Sequence, residues 1–295
     1  MEHEPVAPLS PWHAGEIALQ RQAGVAEHMA HVGPAIFRPY LMEPQRAFYA
    51  RLPFVVIGAV DPDGMAWATI RAGQPGFLGS PAPSVLTVAA GRDAGDPAEP
   101  GMNDGAALGL LGIDLATRRR LRLNGRLRRS DAAGFRVVVE QSFGNCPQYI
   151  TRRDVAFDRT PPSPAQPVVA TALDDAARRL IEAADTFFVA SYADRPDGGR
   201  QVDVSHRGGP PGFVRIGADG RLTVPDYAGN QFFNTLGNFV VNPRAGLLFL
   251  DPGSGDLLQL SGKVELILDG AERLWRVTPH KIVLRQEALP LRWSA

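Results

Sequence analysis

The sequence predicts a mainly β chain with flanking helices, built as two tandem small barrels. Three observations predict it: the chain repeats itself, the repeats are rich in strands and turns, and a proline-rich segment separates them. With 295 residues, 31 glycines and 26 prolines, the length suits two modest domains and the composition suits short strands.

The repeat comes first, because a missed repeat misassigns the whole fold. Residues 71–88 lie on residues 207–224 at an offset of 136, with nine identities in eighteen positions. The identities include Arg71/Arg207, the turn Pro75-Gly-Phe77/Pro211-Gly-Phe213, and Leu86-Thr-Val88/Leu222-Thr-Val224. At an offset of 137, Gly109-Leu-Leu-Gly-Ile-Asp114 lies on Gly246-Leu-Leu-Phe-Leu-Asp251, and Leu121-Arg-Leu-Asn-Gly125 on Leu258-Gln-Leu-Ser-Gly262. Upstream, Phe54-Val-Val56 pairs with Phe187-Phe-Val189, which leaves three extra residues in the second copy's turn.

Each copy reads as one helix and five or six short antiparallel strands, which a closed barrel would relieve of exposed edges. An amphipathic helix is expected over 12–32, from Ile17, Leu19, Val25 and Met29, and a second over 43–51, entered through Pro44. The apolar run at 54–60 is a buried strand ending at the turn Asp61-Pro-Asp-Gly64. The expected division is a helical cover over 1–47, a first barrel over 48–159, a linker over 160–172 and a second barrel over 173–295. Trp12, Ile17, Leu19 and Met29 should pack on barrel surface.

Composition narrows the function. Lys plus Arg and Asp plus Glu are both 31, so a nucleic-acid partner is not expected. A single cysteine, Cys146, excludes an internal disulfide and a cysteine-rich zinc site, and the six histidines form no metal-binding couplet. No signal-type or membrane-length apolar run is present, so a cytoplasmic protein without a membrane partner is expected. Phosphate-binding and nucleophile-elbow glycine motifs are absent.

Two segments of the second copy draw attention. Arg200-Gln-Val-Asp-Val-Ser-His-Arg207 alternates, with Val202 and Val204 on one face and Gln201, Asp203, Ser205 and Arg207 on the other. If the valines fill a barrel, Asp203 and Ser205 point outward, and a solvated face is the plain reading. The stretch 225–238 then offers Asn230, Gln231, Asn234 and Thr235, neutral groups able to bond a ring edge or a phosphate; a long turn is the competing reading. The first copy's loop carries Asp93, Asp96 and Glu99 instead. The arginine cluster 118–129 reads as solvated strand edges; the alternative is that some of its arginines face the other barrel and neutralise a bound phosphate.

Taken together, residues 200–207, Gly208-Gly-Pro-Pro-Gly-Phe213, Leu222-Thr-Val-Pro-Asp226, Gly229-Asn230, Asn234-Thr-Leu-Gly-Asn238 and Asn242-Pro-Arg-Ala-Gly-Leu-Leu-Phe249 resemble the pyridoxamine 5'-phosphate oxidase-like FMN-binding split barrels. Ser10-Pro-Trp-His-Ala-Gly15 and Asn145-Cys-Pro-Gln-Tyr149 resemble the subgroup with tandem barrels. The resemblance implies that the two split barrels pair within the chain as a pseudo-dimer, with FMN in a cleft between them held by Arg200, Gln201, Asp203, Ser205, His206, Arg207, Asn230, Gln231, Asn234 and Thr235. It departs from the oxidase proper: Asn230 and Gln231 stand where that enzyme has a basic pair, and no substrate-binding pattern follows at 284–295. The expected function is an FMN-dependent oxidoreductase acting on a small molecule with a separate electron-donor reductase. The alternative is a non-catalytic FMN- or haem-binding carrier or sensor. Catalytic residues stay unassigned, and a homodimer of whole chains stays open. Arg200 or Arg207 should carry the phosphate, and the first loop's acids should repel it.

Overall fold

A computed structural model describes residues 10–129, 133–157, 166–196, 198–251, 253–268 and 272–294. The N-terminal cover holds two helices where one was expected. α1 (Ala14–Gln22) ends at Gly24, whose φ of +71° is the left-handed stop that glycine tolerates, and α2 (Ala26–Ile36) restarts beyond it. α3 (Glu43–Arg51) has the expected bounds. Trp12, Leu19 and Met29 are buried, and Ile17 packs against the aromatic cluster of Trp12, Phe37, Phe143 and Phe232.

The first half then forms β1 (Phe54–Val60), β2 (Ala66–Ala72), β3 (Leu78–Ala82), β4 (Val85–Val88), β5 (Ala107–Asp114), β6 (Arg119–Arg128) and β7 (Phe135–Gly144). After β8 (Asp154–Phe157), β9 (Val168–Ala170) and α4 (Asp175–Ala183), the second half forms β10 (Thr186–Asp194), β11 (Arg200–Gly208), β12 (Arg215–Ile216) and β13 (Leu222–Pro225). α5 (Asn234–Val241), β14 (Arg244–Leu250), β15 (Leu257–Ile267), β16 (Leu274–Arg285) and β17 (Leu291–Ser294) complete it. The sheet orders correspond strand for strand: β2-β1-β5-β6-β7-β4-β3 and β11-β10-β14-β15-β16-β13-β12. Each sheet is left open between its end strands, the geometry of a split barrel.

Local details repeat as well. Both central hairpins carry a bulge at the same place, between Asn124 and Gly125 and between Ser261 and Gly262. A Cβ on either bulge glycine would strike a carbonyl of the next strand. The turns at Gly76 and Gly212 both need positive φ, 100° and 83°.

The halves pack through a shared core of Phe54, Val56, Ile70, Leu111, Phe188, Ala190, Val204 and Leu248, separate from the two barrel cores. Their backbones meet reciprocally. A Cβ on Gly109 would lie 2.5 Å from the Val202 carbonyl oxygen, and one on Gly246 would strike that of Ala66. Each glycine meets the other half's equivalent residue, as a two-fold axis requires.

Three expectations need correction. Strand register puts Val55 opposite Arg71 and Phe187 opposite Arg207, so Val55, not Phe54, is the counterpart of Phe187. The slip reverses faces: Phe54 belongs to the shared core and Phe187 to a barrel core. Second, each sheet path has seven strands rather than five or six. Third, of the linker expected over 160–172, residues 160–165 lie outside the described residues and 168–170 form β9, paired with β16. β17 pairs with β8 and so ties the chain's end to the first half.

Candidate functional site

The second half opens a cleft against the first. β11 contributes Ser205, His206 and Arg207; the 226–236 segment crosses above; β6 and the 145–149 turn close it from the first half. The cleft encloses about 120 Å³ and widens to about 870 Å³ when open solvent at its mouth is included.

The solvated-face reading of β11 is wrong. Val204 belongs to the core shared by the halves, so the apolar face is used on the partner half, not on the barrel interior. Asp203, Ser205 and Arg207 turn toward α5, and both faces are buried. Asp203 accepts from Arg122 at 2.6 Å, Asn124 at 2.7 Å and Asn238 at 2.8 Å. Ser205 accepts from the Thr235 hydroxyl at 3.0 Å, and Arg122 donates to Asn234 at 3.0 Å.

Six predicted residues besides Arg207 line this cleft: Ser205, His206, Asn230, Gln231, Asn234 and Thr235. Arg200 does not. It sits at the far end of β11, its guanidinium held 2.7 Å from Asp194 and over the Tyr192 ring, and it cannot carry the phosphate role given to it. Gln201 is likewise outside the cleft, accepting from Arg195, and Asp203 lies behind it as the counter-ion of Arg122.

Sequence reasoning gives the arginines of β6 a place facing the other barrel only as the alternative and does not count them among the site residues. Arg120 and Arg122 line the cleft, against the solvated reading of their cluster. Their signal was the alternation Arg120, Arg122, Asn124 beside Leu121 and Leu123, two faces of one strand. Cys146, Tyr149, Asp226, Tyr227 and Arg273 join them. Tyr149 and Tyr227 stack at the mouth with centroids 5.1 Å apart.

The electrostatics are cationic and incompletely balanced. Burial, then Arg207 and Arg122 nearby, pushes the Arg120 pKa down to about 10. Burial lowers that of Arg207 too, with its partner Asp226 as far as 3.9 Å. Among the described residues the Nε atoms of Arg120, Arg122 and Arg207 are buried without a hydrogen-bond partner, as is that of Arg71 in the first half; what sets the cleft apart is that three guanidiniums converge on it with Asp226 as far as 3.9 Å from Arg207, an arrangement that suits an anion. His206 is held neutral, its pKa well below the ordinary value through burial and the charges of Arg120 and Arg207. Arg120 can only donate, so His206 Nδ1, at 3.1 Å, accepts and Nε2 carries the hydrogen.

α5 adds a second anion-seeking element. Its first turn, 234–236, lines the cleft, and no side chain caps its N-terminus. Gln231 and Phe233 before it, and Tyr149 opposite, hold φ of 59°, 60° and 62°. Such strained backbone clusters at functional sites.

The first half's counterpart is closed. Arg71, equivalent to Arg207, is gripped by Asp96 at 2.5 Å and Glu99 at 2.8 Å. Asp96 also accepts from Thr69 at 2.5 Å and Gln259 at 3.0 Å, while Arg285 pairs with Asp93. Burial alone would raise the Asp96 pKa; Arg71 and Arg285 outweigh it and hold the carboxyl low. The sequence predicts that these acids repel a phosphate; instead they are paired with the arginines.

Residues 173–285, most of the second half, match the family model of pyridoxamine 5'-phosphate oxidase, so the family resemblance holds for that half. No curated protein matches the chain significantly. Among solved structures, HupZ of Group A Streptococcus is similar at 10% identity over 35% of this chain and 93% of that chain, TM-score 0.29. A putative pyridoxamine 5'-phosphate oxidase from Lactobacillus delbrueckii aligns at 17% identity over 36% and 95%, TM-score 0.28. A FAD-binding protein from Mesorhizobium loti aligns at 15% identity over 40% and 98%, TM-score 0.27. No helix among the described residues is long and apolar enough to cross a membrane.

Proposed function

We propose that the cleft of the second half binds FMN, one per chain, and that the protein is an FMN-dependent oxidoreductase acting on a small molecule with a separate electron donor. The observation that carries the reading is the convergence of Arg120, Arg122 and Arg207 on a cleft whose second-half lining lies within the family match. A phosphate monoester of about −1.5 to −2 charge answers that imbalance.

In this reading Arg207 of the second half and Arg120 and Arg122 of the first hold the phosphate, with the first turn of α5 beneath it. Asn230, Gln231 and Asn145 offer neutral amides to the ring, and Tyr149 and Tyr227 an aromatic wall. When bound, the flavin supplies the redox chemistry, and the chain's task is to bind it, orient it and limit water. A neutral His206 keeps the cleft from gaining a further positive charge.

Haem carriage, the other reading, is less well supported. Among the described residues His206 is the sole histidine lining the cleft, and both its nitrogens face partners, Arg120 at 3.1 Å and Thr186 at 3.5 Å. A fluorescence-quenching titration tests the flavin reading: FMN binds the native chain, and Arg207→Ala weakens it by about 1.5–3 kcal/mol. Unaltered affinity in that variant, or no binding by the native chain, contradicts it. Turnover of bound flavin with an electron donor separates oxidoreductase from carrier.

A further inference from the structure

The N-terminal helix reaches the cleft from behind. α1 crosses α5 almost backbone to backbone: a Cβ on Gly237 would stand 2.6 Å from Glu16 Cγ, and one on Gly15 would strike the Gly237 carbonyl. At the crossing His13 Nε2 lies 2.9 Å from Asn238 Oδ1. Glu16 accepts from Asn234 Nδ2 at 2.5 Å and from the His13 backbone N–H at 2.9 Å. Gln20 of the same helix reaches the Phe232 carbonyl.

α5 needs outside support. It has eight residues with Gly237 in the middle, and it starts from left-handed Phe233 without a side-chain cap. Yet its first turn forms part of the cleft wall. Glu16 also does more than end a helix. A capping-box glutamate satisfies one backbone N–H and can remain in water, whereas Glu16 is fully buried and gives its second oxygen to Asn234. Asn234 in turn accepts from Arg122, which lines the cleft.

We propose that Glu16 is a positioning residue of the cleft and that α1 is the strut holding the first turn of α5 in place for the ligand. This deepens the flavin reading and, for its affinity readout, rests on it.

The groups facing Glu16 are His13 on its own helix, Asp203 on β11 and Arg122 on β6; Arg195 faces His13, and Tyr49 of α3 faces Arg122. Burial first, then Asp203, pushes the Glu16 pKa up to about 8, against its two hydrogen bonds and Arg122. The folded value lies above the ordinary 4.5, so its contribution is complete below 4.5 and is lost as pH rises through about 8. Glutamine keeps the size and an acceptor but cannot ionise.

The test titrates FMN into the full-length chain, Glu16→Gln and Glu16→Ala between pH 6 and pH 9. Glu16→Ala is expected to bind at least about fivefold more weakly, the low end of ordinary coupling between sites. Glu16→Gln, which keeps one of the two acceptors, should bind no better than the native chain at pH 6, and its affinity relative to the native chain should rise from pH 6 to pH 9. The phosphate's own titration cancels in that comparison. Parallel pH profiles for the native chain and Glu16→Gln overturn the proposal, even where Glu16→Ala does not fold. If the native chain binds no FMN, the flavin reading fails on its own, and hydrogen exchange decides the strut. Protection of the 234–241 amides, taken relative to the intrinsic rate at each pH, that falls equally from pH 6 to pH 9 in the native chain and in Glu16→Gln, or does not fall in the native chain, overturns it. Native amides exposed progressively above pH 7, and not in Glu16→Gln, support it.

Discussion

Arg71 and Arg207 occupy the same place in two copies of one strand, and they meet opposite surroundings. Arg71 is held by Asp96 and Glu99 from its own half's loop, with Gln259 and Arg285 arriving from the other half. Arg207 has a distant Asp226 and, across the cleft, the further positive charges of Arg120 and Arg122. Strands, bulges and turns are shared; the loops and the facing strand differ. An arginine at a repeated position therefore says little about ligand binding until its counter-charges are counted. Arg71 is held by carboxylates of its own chain, whereas among the described residues Arg120 and Arg207 face the cleft with no carboxylate closer than Asp226 at 3.9 Å from Arg207.

The largest effect that sharpens this contrast should come from Asp96→Ala. It leaves Arg71 buried with its main counter-charge gone and should cost about 3–5 kcal/mol of stability, read by chemical denaturation. Added inorganic phosphate should restore part of that loss, more than it stabilises the native chain, by taking the carboxylate's place. No phosphate dependence beyond the native chain's would show that the first cleft is not an anion site closed from within.

An intermediate effect lies in acid. The Asp96 pKa is held below its ordinary value, so the stability it contributes is present at neutral pH and disappears as pH falls through the lowered value. The melting temperature should drop toward low pH less steeply in Asp96→Asn than in the native chain. Equal slopes would remove the Arg71 pair from the account. The smallest effect belongs to Arg200→Ala. Its guanidinium is partly exposed and paired with Asp194 at the surface, so stability should change by less than about 1 kcal/mol and FMN affinity not at all. A clear loss of affinity would move the site along β11.

Much of this was legible before the structure. The repeat could be read because turn glycines and strand periodicity constrain residue types locally, and Asn234, Thr235 and Asn230 stood out because one copy's loop differed from the other's. What could not be read depended on distant partners. Phe54 matched Phe187 by identity but not by register, since one apolar residue looks like the next where both faces of a strand are buried. For the same reason Val202 and Val204 did not reveal which side of β11 was inside. Arg200 and Arg207 looked equivalent as phosphate ligands because Asp194, which occupies Arg200, lies across a hairpin. Arg120 and Arg122 reach the cleft only through the pairing of the halves.

The central claim is that one cleft is open to an anionic ligand and the other is closed by the chain's own acids. Equilibrium dialysis of FMN against the native chain and Arg207→Ala measures it directly. The account predicts saturation at one FMN per chain, with affinity lost in the variant; saturation at two equivalent sites, or one site indifferent to Arg207, would contradict it.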